Sequence, residues 1–336
     1  MKRDRYHLLL VAGVLAAIPP AFFAPGESYL ARVFILMVLY AILTTALNLV
    51  FGHTDQLLLF TGAVAAIGAY TTALTAQWLG ISPWFSLLAG GLLAGVVGVT
   101  VTYVAAIREL TVIVISILTL ALQFSIIELV NSLRDVTGGV TGLAFDGLTI
   151  PPLVNLPWFT EDIVLFYTLG VVLLGMLAVY QYLMNSRYGL AFEMIRQDET
   201  AAKSVGLDTV KYKVIAGFVA TFAIGLVGPF FAQLSGFVSP GTYQFNNIDV
   251  LILIMLIVGG LRTMYGPLVG SAIIILLNEQ LRAFAEFRSI LFGTLLVVLF
   301  LYFRDGVVPF VDDYLDKWDV KRRAQDLMPG SRAPER

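Results

Sequence analysis

"VIAGFVATFAIGLVGPFFAQLSGFVSPGTYQF", Val214 to Phe245, runs for 32 residues without a charged side chain. A helix rises about 1.5 Å per residue, so about 20 apolar residues cross the hydrocarbon core of a bilayer. This run is longer than that. Just before it the composition changes abruptly. "EMIRQDETAAKSVGLDTVKYK", Glu193 to Lys213, carries eight charges in 21 residues. A second charge-free run, Val33 to Gly52, has the same character as the first. The whole chain has 336 residues, of which 58% are hydrophobic and 13% charged, against about 25% charged in a soluble domain. Soluble two-domain architectures are therefore excluded. The absence of cysteine removes disulfide scaffolds, thiolate zinc sites and cysteine nucleophiles. A net charge of −2 leaves no basic footprint for nucleic acid.

Working outward, apolar segments fall at about 8–24, 29–51, 57–79, 82–107, 110–131, 161–185, 213–239, 248–262, 266–285 and 287–303. The expectation is an all-α polytopic membrane protein of about ten transmembrane helices. Lys2, Arg3 and Arg5 followed by an apolar run could be a signal peptide. Pro19, Pro20 and Pro25 crowd the place where cleavage would fall, so residues 8–24 are read as a retained first span. An even number of spans puts both termini on one side. With the N-terminus in the cytoplasm, 17 of the 21 Lys and Arg lie inside. Only Arg32, Arg134, Arg282 and Arg288 lie at the outer face. That split follows the positive-inside rule. It makes 1–303 the transmembrane domain, with a cytoplasmic loop at about 186–212 and an outer loop at about 132–160. Residues 304–336 become a cytoplasmic tail, disordered at its polar end.

Spans three and four are dense in glycine: Gly62, Gly68, Gly90, Gly91, Gly95 and Gly98. Such residues let helix backbones approach closely, or leave room for a passage. The charged loop spends far more chain than a turn between spans needs. Glu193 to Val205 is rich in helix formers, with a partial apolar stripe interrupted at Asp198 and Glu199. Gly206 stands where a C-terminal cap belongs, and Asp208 where the next helix needs an N-cap. A short helix is expected to lie across the cytoplasmic face. It could rest on lipid, be merely solvated, or dock a cytoplasmic protein. Its acids argue against lipid, because surface-bound helices are usually basic.

"YGLAFEMIRQDETAAKSVGLDTVKYKVIAGF" resembles the cytoplasmic coupling loop of ABC importer permeases of the branched-chain amino acid type, the LivM-like family. The matching positions are Gly189, Ile195, Arg196, Glu199, Ala201, Ala202, Gly206 and Lys213, with Gln197 where the family usually has Glu. "LTLALQFSIIELVNSLRDVTGGVTGL" (118–143), "LIVGGLRTMYGPLVGS" (256–271) and "LNLVFGHTDQLLLFTGAVAAIGAY" (47–70) are similar to further blocks of that family. Arg262 departs from a usual Gly, and Phe60 and Thr61 replace a usual Gly-His pair. The resemblance covers about 29–303. It implies the type II-like fold and coupling to an ATPase through Glu193, Arg196, Asp198, Glu199, Ala201, Ala202 and Gly206. The implied partners are a homologous permease chain, forming a heterodimer, two cytoplasmic ATPase subunits and an extracytoplasmic substrate-binding protein, in a bacterial-type inner membrane. The implied cargo is a branched-chain or other hydrophobic amino acid.

No phosphate-binding G-x-x-x-x-G-K-[ST] run occurs, so ATP and magnesium are expected on partner subunits and no cofactor in this chain. A secondary carrier would need an ionisable group near mid-membrane. The candidates for that role are His53, Asp55, Glu128 and Glu279, and all fall toward span ends. The two histidines, His7 and His53, sit at membrane edges, and no nucleophile–base pair is visible. The chain is therefore expected not to be an enzyme. Asn48, Thr61, Thr119 and Gln123 are candidates for a neutral passage. Arg134, Asp135, Gly138, Gly139 and Gly142 are candidates for an outer rim where the binding protein docks. Urea, short amides and small carboxylates remain alternative cargoes, and a secondary carrier the alternative mechanism.

Overall fold

The computed structural model of the protein describes residues 2–22, 28–145, 147–148, 161–302, 306–311 and 313–314. The chain order is α1 (Lys2–Phe22), α2 (Ser28–Leu47), α3 (Thr61–Leu79), α4 (Pro83–Ile107), α5 (Val112–Ser132), α6 (Glu161–Met184), α7 (Arg187–Gln197) and α8 (Glu199–Ser204). It continues with α9 (Thr209–Ser235), α10 (Asp249–Gly259), α11 (Gly266–Gln280) and α12 (Arg288–Tyr302). Among the described residues, each of the ten expected spans has its helix. The two short helices α7 and α8 stand between α6 and α9. Tyr29–Gly52, α4, α5, α6 and α9 are each long and apolar enough to cross a membrane. The chain is a multi-pass membrane protein. The loop stretch 149–160, with Trp158 and Phe159, and the tail beyond 314 lie outside the described residues.

Helix α9 is the central post, packed against α4, α3 and α2. In lipid, side chains gain little by leaving one apolar surface for another, so close van der Waals contact has to hold helices together. The glycines supply it. A Cβ on Gly68 would sit 2.0 Å from the Gly225 carbonyl oxygen, and one on Gly225 would sit 2.3 Å from Ala94 Cβ. A Cβ on Gly98 would meet Thr221 Oγ1 at 2.0 Å. Gly91 and Gly95 receive the rings of Phe222 and Phe218. These glycines are thus spent on helix contacts rather than on open space.

Three boundaries differ from expectation. Helix α2 does not run on into a loop. It widens into a π-helical turn, Asn48–Gly52. Helix α3 begins at Thr61, not near 57, because Asp55 to Phe60 are non-helical. Helix α10 has 11 residues, about 16 Å of helix and half a bilayer. Beyond the C-terminal end of α5, a two-residue antiparallel pair, β1 (Leu143–Ala144) with β2 (Phe237–Val238), ties the α5–α6 loop to the α9–α10 connection. Gly142 turns the chain into that pair at φ +80°, with the Val238 carbonyl where a Cβ would stand.

Candidate functional site

The bundle interior contains chain that is not helix. Backbone polar groups at that depth must find partners within the protein. Here they find side chains from distant elements. Asp249, at the start of α10, accepts the Thr61 N–H at 2.6 Å and the Gly62 N–H at 3.2 Å. Gln123 of α5 accepts the Ala63 N–H at 2.6 Å and donates to the Tyr243 carbonyl at 2.8 Å. Thr119, one turn earlier, accepts the Leu59 N–H at 2.9 Å. The N-terminus of α3 is therefore capped inside the bundle, at the level of mid-α5, by residues from two other helices. Asp249 is 2% exposed.

The other break is pinned by Asn48. Its side-chain oxygen accepts the Arg262 N–H at 2.8 Å, and its amide donates to the Thr263 carbonyl at 2.9 Å. Asn48, Thr61, Thr119 and Gln123, expected along a passage, are thus buried, and each joins two elements. In this conformation they hold the interrupted helices in place, and only Gln123 among them also borders a cleft described below. Asp249 escaped the sequence reading, which turned to other acids. Gln56 is buried in the same irregular stretch with neither its amide nitrogen nor its oxygen hydrogen-bonded.

At one end of the bundle stand α7 and α8. The expected single helix over 193–205 is two helices broken at Asp198. That residue is extended (φ −160°, ψ 108°), and its carboxylate accepts the Thr200 and Ala201 N–H groups. Gly206 ends α8 at φ +84°. Asp208 caps α9 through the Lys211 N–H at 3.1 Å. Glu199, expected as a docking acid, is turned back into the protein. It pairs with the buried Lys213 at 2.5 Å and with Lys203 at 3.4 Å, and it accepts the Thr209 hydroxyl. Lys203 reaches Glu109 of the α4–α5 turn at 2.7 Å. Burial works to raise the Glu199 carboxyl, but the hydrogen bond and charge of Lys213 and the charge of Lys203 outweigh it and hold it below its ordinary value. The Lys203 ammonium is raised, chiefly by its hydrogen bond to Glu109. Ala202 is buried, whereas Glu193, Ala201 and Gly206 are exposed and Arg196 is partly so. The apolar side chains left in the open on this knob are Leu190 (68% exposed), Met194 (42%) and Val205 (69%).

A cleft of about 230 Å³ beside α7 brings Arg196 together with His53 and Arg262. Burial, then the charges of Arg196 and Arg262, push the His53 imidazole down to about 4. His53 therefore meets the Tyr180 hydroxyl, at 2.7 Å, as a neutral ring. Among the described residues, the non-glycine residues with positive φ are Asp55 (51°), Glu109 (50°) and Arg262 (67°). Glu109 touches α8 through Lys203, and Arg262 shares the cleft with Arg196 of α7.

At the opposite end of α5 lies a cleft of about 430 Å³, with Gln123 and Glu128 on one wall and Phe245 on the other. In α5 itself, only 22% of the most apolar stretch is buried against the rest of the chain. Arg134 and Asp135 are exposed beyond it, and Gly138, Gly139 and Gly142 take positive φ in the tight loop that follows. Among the described residues no group of His, Asp or Glu could hold a metal ion.

A profile of the family described as branched-chain amino acid transport system, permease component, matches residues 29–301. The chain is 28% identical over 323 residues to the high-affinity branched-chain amino acid transport system permease protein LivM of Escherichia coli (strain K12). That match spans 90% of this chain and 75% of the relative. It is 27% identical to the protein of the same description from Salmonella typhimurium (strain LT2), over 90% of this chain and 74% of that one. No solved structure matches it. With the matched region running from α2 to α12, the chain belongs to the family of permease components of branched-chain amino acid transport systems.

Proposed function

We propose that this chain is the transmembrane subunit of an ABC importer for branched-chain or other hydrophobic amino acids, with α7, α8 and both termini in the cytoplasm. The α7/α8 end gathers Arg108, Arg187, Arg196, Lys203, Lys211, Lys213 and Arg262, as the positive-inside rule requires. In this reading two ATPase subunits bind ATP and magnesium and dock on the knob. A homologous permease chain covers the bare side of α5, and an extracytoplasmic binding protein delivers cargo at the rim near Arg134 and Asp135. Residues 1–303 make the permease and 304–336 a cytoplasmic tail. The chain performs no covalent chemistry.

The observation that carries the reading is the build of the knob. Glu199 and Lys203 are spent on pairs with Lys213, each other and Glu109, while the apolar Leu190, Met194 and Val205 face out beside the exposed Arg187, Glu193 and Asp198. A braced block with exposed apolar side chains ringed by charge suits a protein interface, apolar at its core and polar at its rim, better than a solvated loop. Force applied there reaches the strained joints at Glu109 and Arg262, and strained backbone marks segments with a second arrangement. The test is Val205→Asp combined with Leu190→Asp. The variant permease should keep its melting temperature yet fail to co-purify with its ATPases and lose ATP-driven uptake. Normal ATPase association and uptake would remove the docking assignment.

A further inference from the structure

We propose that the outer cleft of α5 is a substrate subsite for a zwitterionic amino acid with an apolar side chain, Glu128 receiving its ammonium group. The inference rests on the permease reading above and names the residues that would set its cargo.

The cleft measures about 430 Å³, within the range of small-molecule sites. One wall is the α5 stripe of Phe124, Glu128 and Asn131, which share a helix face at i, i+4 and i+7 spacing. The other is the connection Gln244–Asn246. Glu128 is exposed. Its recorded hydrogen bond is a long one from the Asn131 amide at 3.5 Å, and no cation pairs with it among the described residues. A carboxylate on a membrane span is costly against hydrocarbon. This face of α5 therefore meets water or a partner chain rather than lipid.

The chemistry of the walls is divided. Glu128 offers acceptors only, which suits an ammonium group. Asn131, Gln244 and Asn246 carry amide N–H donors for a carboxylate. Phe124 and Phe245, with ring centroids 6.0 Å apart, give an apolar wall with Ile127 beside them. A carboxylate lacking an ammonium group would be repelled by Glu128. Urea would leave the aromatic wall unused. The arrangement thus favours an amino acid over both alternatives. Gln123 forms a section of the lining and also holds the first turn of α3. An occupant therefore rests on the group that pins the interrupted core.

The absence of cysteine makes the test direct. Ser125→Cys, on the same exposed face of α5, is placed in the full transporter reconstituted in vesicles with Glu128 or with Glu128→Gln. Cationic and anionic methanethiosulfonates are then compared. With Glu128 present the cationic reagent should gain about tenfold over the anionic one, and Glu128→Gln should abolish the bias. Leucine should protect the cysteine, and 4-methylpentanoate, its analogue without the ammonium group, should not. Maximal leucine uptake should fall about tenfold in Glu128→Gln and largely survive in Glu128→Asp. If the cysteine reacts without charge bias or leucine protection, and Glu128→Gln transports normally, the subsite is wrong while an aqueous path along α5 stands. If neither reagent reacts while uptake persists, the path does not follow α5 and the subsite falls while the permease reading stands; absence of any uptake by the complete transporter would instead remove the permease reading.

Discussion

Asp249 shows how much one side chain can hold. Its carboxylate accepts two backbone N–H groups of α3 where no water can replace it, and neighbouring Gln123 satisfies a third. Leaving buried donors unsatisfied costs about 1–3 kcal/mol each. Asp249→Ala should therefore destabilise the folded protein by about 3 kcal/mol, and Asp249→Asn, whose single side-chain oxygen can still accept, by less. Thermal unfolding in detergent, followed by tryptophan fluorescence, reads this order. Equal melting temperatures for wild type and Asp249→Ala would show that the cap carries no weight. None of this is legible locally, because the Asp249 partners lie 188 and 187 residues earlier. An acid just ahead of "VLILIMLIVGG" reads in sequence as the wet end of a span. "LLLF" at 57–60 reads as the start of a helix, because an apolar run has no periodicity to separate helix from extended chain. Gly206 and Asp208 were legible because a cap acts on the two or three residues beside it, whereas Asp198 read only as an interruption of the apolar stripe and not as the cap of a separate helix.

At the scale of the element, α8 is fixed to α9 by charge. Lys213 is buried and Glu199 neutralises it. Removing one member of such a pair strands the other, so Glu199→Ala should loosen the knob by about 2–4 kcal/mol. Glu199→Gln with Lys213→Met should restore most of that. The pH dependence has a definite sign. A carboxyl held below its ordinary value of 4.5 adds stability at neutral pH that is lost as pH falls through its folded value. The protection factors of amides across 198–206, corrected for intrinsic exchange, should therefore fall as pH drops below 4.5 in the wild type, and Glu199→Gln should flatten that change. An unchanged wild-type profile would detach Glu199 from the stability of α8. The α3–α9 crossing makes the matching claim for packing. Gly68→Ala has to push two backbones apart and should cost about 3 kcal/mol, the upper end of the usual cost of overpacking. Gly175→Ala, whose Cβ would meet nothing within 4 Å, should be neutral or slightly stabilising. Comparable melting of the two variants would contradict the close crossing.

The molecule as a whole joins a knob of short helices at one end, an interrupted core in the middle and a polar cleft on α5 toward the other end. The helices of the ten expected segments could be read in sequence because an apolar helix is the conformation that satisfies its own backbone in lipid. Where α3 and α10 start inside the protein, other helices satisfy the backbone instead, and hydropathy no longer marks the boundary. The same fold leaves two drives open in principle. A docked ATPase would act through α7 and α8. A proton would need a buried carboxylate, and Asp249 is one. Both of its oxygens are committed to α3, which favours the first drive. The decisive measurement is leucine uptake into vesicles holding this chain with its homologous permease, ATPases and binding protein, energised by internal-face ATP or by a proton gradient alone. The account predicts uptake with ATP, none with the gradient, and loss of the ATP-driven signal on placing Asp at Val205 and Leu190. Uptake driven by the gradient without ATP, and abolished by Asp249→Asn, would contradict it.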